Sequence, residues 1–189
     1  MKFLNVLFLS LFLFSVLSAN AQTINENWET DLTKLVGAFK TCKGTIENYV
    51  NPCSKYSGES LKVVYGLDDF FSKEINRYLT GTEIIKYLET SPQWKKSGLA
   101  SDQEALTAAQ NKANEKIAVV AVYSDENGIG HMALILPGKL KASGLWEKSV
   151  PNCSSFFMNS PSSSFSGKGL SYAFSKDMIS NVIIYIRTY

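Results

Sequence analysis

The stretch "KIAVVAVYSDENGIGHMALILPG" (residues 116–138) decides the fold, because two apolar runs flank a strong turn signal. "KIAVVAVYS" is rich in β-branched residues and predicts a strand, and "HMALILPG" predicts the strand that returns beside it. Asn127-Gly128 between them is typical of a tight hairpin turn. The centre of the molecule is therefore predicted to be an antiparallel hairpin.

Three segments that follow the hairpin are also predicted to be strands. They read "CSSFFMN", "GLSYAFS" and "NVIIYIRTY", and the Ser/Gly-rich stretch "NSPSSSFSGKG" is predicted to be a loop between the first two. With the hairpin they predict an antiparallel sheet of about five strands.

Two helices are predicted before the sheet, at the start of the chain. "NENWETDLTKLVGAFKTC" places its apolar residues on one helical face and predicts a helix that ends near Gly44. Pro52 suits a first helical turn, and a second helix is predicted from about Cys53 to Tyr65.

Two more helices follow before the hairpin. "TGTEIIKYLETS" predicts a short helix capped by Thr82, and Ser101 with Glu104 has the spacing of a capping box at the start of "SDQEALTAAQNKANE". Helices that precede an antiparallel sheet indicate an α+β fold in one domain.

The N-terminus has the pattern of an export signal. A lysine precedes "FLNVLFLSLFLFSVLS", and small residues follow at Ala19 and Ala21. Residues 1–21 are therefore predicted to be a signal peptide cleaved after Ala21, and residues 22–189 the mature domain, periplasmic or secreted. The apolar stretch is short for a bilayer span, so no integral membrane span is predicted.

Composition and motifs exclude several function classes. The formal net charge of +2 gives no electrostatic argument for a nucleic-acid partner. No phosphate-binding loop or dinucleotide fingerprint is present, and one histidine with scattered cysteines does not give zinc-ligand spacing. We therefore expect no cofactor and no metal.

The cysteines Cys42, Cys53 and Cys153 are odd in number. In an oxidising compartment they predict one disulfide and one free thiol, and three pairings remain open.

Cys53 and His131 are the candidate catalytic pair. A thiol nucleophile needs a base, and a helix N-terminus lowers its pKa further. Cys53 is predicted at a helix start, and the chain's one histidine is predicted at the start of a strand. The structural alternatives are a disulfide for Cys53 and an edge-of-sheet position for His131.

The segments "NPCSKYSG" and "GIGHMALILPG" resemble the NlpC-like cysteine peptidases of the papain superfamily, including CHAP and type VI amidase-effector relatives. The resemblance implies a papain-like fold, with Cys53 as nucleophile and His131 as general base. It also implies an orienting residue, for which Asn152 is the candidate and Ser154 or Asp125 are alternatives. The backbone N–H of Cys53 would contribute to an oxyanion hole.

The same resemblance implies a reaction and a substrate. A secreted enzyme of this kind would cleave amide bonds in peptidoglycan stem peptides or cross-bridges, and an inhibitor or immunity protein is a candidate partner. The alternative is a catalytically inactive secreted binding or inhibitor module with the same fold.

Overall fold

The computed structural model describes residues 24–44 and 51–189, so the predicted signal peptide lies outside the described residues. The described part of the chain contains four α-helices, namely α1 (Trp28–Thr41), α2 (Lys55–Tyr65), α3 (Gly81–Thr90) and α4 (Gln103–Asn114). No helix in this part of the chain is long and apolar enough to cross a bilayer.

Six strands form the main sheet, and all their pairings are antiparallel. They are β3 (Trp94–Leu99), β4 (Val119–Ser124), β5 (Gly130–Ile135), β8 (Asn152–Ser155), β9 (Phe165–Gly169) and β10 (Ile183–Arg187). Two small hairpins lie outside it, β1 (Phe71–Ser72) with β2 (Arg77–Tyr78) and β6 (Lys141–Ser143) with β7 (Lys148–Val150). The α+β class is thus confirmed.

The strand order is β3-β10-β4-β5-β8-β9, so the last strand of the chain inserts between β3 and β4. The predicted hairpin is confirmed: β4 pairs with β5 from Val119↔Ile135 to Ser124↔Gly130. In its turn, Gly128 takes a positive φ of 75°, and the Asp125 carboxylate accepts hydrogen bonds from two backbone N–H groups.

Each face of the sheet buries its own apolar core, because successive side chains of a strand point to opposite faces. The α2 face is covered by α1, α2 and α3, and its core includes Leu61, Val120, Met132 and Leu134. The α4 face is covered by α4 and C-terminal segments, and its core includes Leu106, Val119, Ala133, Ile135 and Phe174. The alternation along β5 divides its residues between these two cores.

The cap of α3 corrects the predicted role of Thr82. Thr80 is the N-cap: its hydroxyl accepts from the Glu83 N–H, and the Glu83 carboxylate accepts from the Thr80 N–H. Thr82 instead joins the helix to the β4–β5 turn, donating to the Gly128 carbonyl and accepting from the Gly130 N–H. Both threonines suit a helix start, and tertiary contact with the turn decides between them.

The start of α4 is also shifted by one residue from the prediction. Asp102, not Ser101, is the N-cap, and its carboxylate accepts from the Glu104 N–H at 2.9 Å. An aspartate is as good an N-cap as a serine, so the two neighbouring residues were equivalent candidates.

The second of the three strands predicted after the hairpin is wrong. Residues Leu170–Tyr172 of "GLSYAFS" form a 3-10 turn, and strand β9 lies within the predicted Ser/Gly-rich loop. β9 is an edge strand whose buried ends, Phe165 and Gly169, flank short or exposed residues, so its sequence lacks a strand-like alternation. Strand β3, the other edge, was not predicted because Lys95 and Lys96 are both exposed.

Candidate functional site

Cys53 lies in a 3-10 turn, Pro52–Ser54, directly before α2, as the sequence predicted. Its sulfur is bonded to that of Cys42, which follows the last residue of α1. A disulfide sulfur carries no thiolate, so Cys53 is not a free nucleophile in this structure. The backbone N–H of Cys53 was the predicted oxyanion-hole donor. It instead donates to the side-chain oxygen of Asn51 at 2.9 Å.

The packing of α1 against α2 accounts for the choice among the three pairings. It brings the Cα atoms of Cys42 and Cys53 to 6.1 Å, an ordinary spacing for a disulfide. Cys153 is the free thiol and is fully buried in the α4-face core. Burial raises the pKa of this thiol, which favours its uncharged form.

His131 lies on the opposite face of the sheet from Cys53. Its ring stacks on that of Phe157 with centroids 4.9 Å apart and meets the edge of Phe174 at 5.3 Å, on the α4 face. Cys53 packs in the α2-face core together with Met132, the next residue after His131 in β5. The sheet separates the two side chains, so the predicted pair is not brought together.

The ring of His131 is held by a serine. Its Nε2 lies 2.8 Å from the Ser155 hydroxyl oxygen. Burial lowers the pKa of His131 to about 4, so the imidazole is neutral at pH 7. A neutral ring clamped between aromatic side chains and a hydroxyl is typical of a structural histidine.

Asn152 does not orient the histidine. Its side-chain Nδ2 donates to the Pro137 carbonyl at 3.0 Å. Its backbone carbonyl accepts from the N–H of Leu136, which is five residues after His131 in the sequence. At the rise of a strand, those five positions separate Asn152 from His131 by about 16 Å. The role predicted for Asn152 is therefore corrected.

The alternative orienting residues are also elsewhere. Asp125 closes the hairpin turn. Ser154 pairs with Leu134, whose side chain belongs to the α2-face core, and its hydroxyl is buried without a hydrogen-bond partner among the described residues. Ser155, one residue on, pairs with Ala133 and so shares a face with His131. The sequence does not single it out, because "CSS" contains two adjacent serines and only the strand register distinguishes them.

The aromatic side chains that could line a site lie mainly in the core. Trp94, Trp146 and Phe174 are buried, while Tyr172 is 66% exposed. Tyr56 packs against Phe39 and Phe156. Within residues 24–44 and 51–189, no three His, Cys, Asp or Glu side chains are grouped as metal ligands.

Comparison with known proteins adds no assignment. No protein-family model matches the chain, and no curated protein matches it.

Proposed function

We propose that this protein is a secreted, catalytically inactive binding module with a papain-like fold of the NlpC type. The observation that carries the proposal is the position of the two candidate catalytic residues. Cys53 is bonded to Cys42, and His131 lies across the sheet from it. Reducing the disulfide would free a thiol but would not move the imidazole through the sheet.

The disulfide also supports export. Disulfides persist in oxidising compartments, and the predicted signal peptide would deliver the chain to one. In this proposal the bond ties α1 to α2, and His131 fills a structural position in the α4 face. A periplasmic or extracellular location follows from the same argument.

The ligand class comes from the sequence resemblance. Enzymes of the NlpC type act on peptidoglycan peptides, and an inactive relative would retain binding to stem peptides or cross-bridges without cleaving them. Peptidoglycan is accessible to an exported protein.

Incubation with purified cell-wall sacculi tests this proposal. We expect the mature wild-type protein to sediment with the sacculi and to release no peptides with new amino and carboxyl groups, as judged by mass spectrometry. The matched variant is Cys42→Ala, which frees the Cys53 thiol without a reductant. We expect this variant also to release no peptides, because His131 is on the other face of the sheet.

The rival function is amide hydrolysis by a Cys53–His131 site. Release of peptide fragments by the Cys42→Ala variant or by the reduced wild type, but not by Cys53→Ala, would establish that enzyme and overturn the binding-module proposal. If the wild type did not sediment with the sacculi and no variant released fragments, the proposal that peptidoglycan is the ligand would be contradicted.

A further inference from the structure

A polar groove runs between α1 and the edge strand β9. It consists of two adjoining cavities of about 280 and 430 Å³ that share Thr33 of α1 and Ser166 of β9. β9 is at one edge of the main sheet, so the groove lies along an edge that no other strand of the described residues covers. We call this feature the α1–β9 groove.

Four lysines line the α1–β9 groove: Lys40, Lys139, Lys141 and Lys168. Against them the lining contains one carboxylate, that of Glu29. None of the four takes part in an ion pair within the described part of the chain. The whole chain has a formal net charge of only +2, so this concentration of unpaired positive charge is local.

Two of these lysines are positioned by neighbouring groups. The ammonium group of Lys168 lies 5.5 Å from the ring centroid of Phe165 and 5.2 Å from that of Tyr172. Lys141 donates to the carbonyl of Gly167 in β9. A partly ordered ammonium group loses less side-chain entropy when a carboxylate binds.

A buried hydrogen-bond acceptor is also present in the lining. Asn152 is 8% exposed, and its side-chain oxygen has no hydrogen-bond partner among the described residues, although its Nδ2 is satisfied by Pro137. This oxygen is buried, so the acceptors that a ligand N–H group can reach in the groove are hydroxyl oxygens. The hydroxyl groups of Thr33 and Ser166 add short polar contacts.

We infer that the α1–β9 groove binds an extended peptide that carries several carboxylates. The lysines match the carboxylates, and the hydroxyl oxygens of Thr33 and Ser166 match backbone N–H groups, so the two observations point to one ligand class. The inference rests on the proposed binding function and deepens it by naming the ligand chemistry and the place where it binds.

Fluorescence anisotropy with a labelled hexaglutamate peptide tests the inference, with a hexaglutamine peptide as the neutral comparison. We expect the wild type to bind hexaglutamate and not hexaglutamine, with an affinity that falls as salt is raised. The double variant Lys40→Glu/Lys168→Glu should weaken binding by about tenfold or more.

The matched control is Lys95→Glu/Lys96→Glu, which makes the same change of charge on β3, at the other edge of the sheet. We expect its affinity to stay within about twofold of the wild type. The four lysines changed in the groove variant and its control are all exposed. If the groove variant fails to fold, Lys139→Glu/Lys141→Glu serves as a second groove variant.

The outcomes separate this inference from the proposed function. Equal weakening by the control, equal binding of hexaglutamine, or no binding of hexaglutamate would overturn the groove assignment. An oligoacrylate of equal charge has carboxylates but no N–H groups, so equal binding of that polymer would overturn the peptide class. Release of sacculus fragments through Cys53 would instead overturn the binding-module proposal and leave the groove result standing.

Discussion

At the scale of single residues, His131 has the properties of a buried packing group. Its ring packs against Phe157 and Phe174 and is hydrogen-bonded to Ser155. A general base that works near neutral pH needs a pKa near that pH. Burial instead lowers the pKa of His131 to about 4, which argues against such a role.

This burial predicts a pH-dependent stability. The unfolded chain takes up a proton on His131 near pH 6.5, whereas the folded protein resists it until about pH 4. Stability from this residue is therefore complete above about pH 6.5 and is lost as the pH falls toward 4, by on the order of 3 kcal/mol. Urea unfolding at a series of pH values measures this loss.

The matched variant is His131→Gln, which can still hydrogen-bond Ser155 but does not titrate. Its free energy of unfolding should fall less steeply than that of the wild type between pH 6.5 and 4. Parallel curves for the two proteins would show that His131 does not carry the effect.

At the scale of secondary-structure elements, an ion pair joins the segment after α2 to the sheet. The Asp69 carboxylate accepts from Arg187 of β10 at 2.7 Å and from the Trp94 indole of β3 at 2.9 Å. The side chains of Asp69 and Arg187 are only 9% and 10% exposed. Asp69 therefore links the segment after α2 to β3 and β10, which are neighbours in the sheet although they are far apart in the sequence.

Replacing Asp69 by asparagine should destabilise the fold by about 3 kcal/mol, because the Arg187 charge would remain buried without its partner. The control is Glu147→Gln, which breaks an exposed pair with Lys176 and should leave the unfolding midpoint unchanged. Thermal denaturation of the two variants measures the difference. Equal effects would mean that the Asp69–Arg187 pair is no stronger than a surface pair.

The elements themselves were largely predictable from the sequence. Apolar periodicity predicted α1, and Pro52 indicated the start of α2. Apolar runs on either side of an Asn-Gly turn predicted β4 and β5, and a further apolar run predicted β10. Caps were less predictable, because Thr80 and Thr82, like Ser101 and Asp102, are chemically equivalent candidates. Edge strands were missed because they lack an apolar face.

At the scale of the whole molecule, the candidate site could not be predicted because it depends on which face of the sheet each helix covers. Alternation along β5 already implies that His131 and Met132 point to opposite sides. The sequence does not tell which of those sides receives α2. The structure places α2 and Cys53 on the side of Met132, and this placement separates the predicted catalytic pair.

The pairing of Cys42 with Cys53 is the central claim and can be measured directly. The mature protein would be denatured and alkylated without reductant, digested with trypsin and analysed by mass spectrometry. We predict a linked pair of peptides, Thr41–Lys43 with Gly44–Lys55, and an alkylated thiol at Cys153 alone. Alkylated Cys53, or a link from Cys153 to either of the other cysteines, would contradict the account.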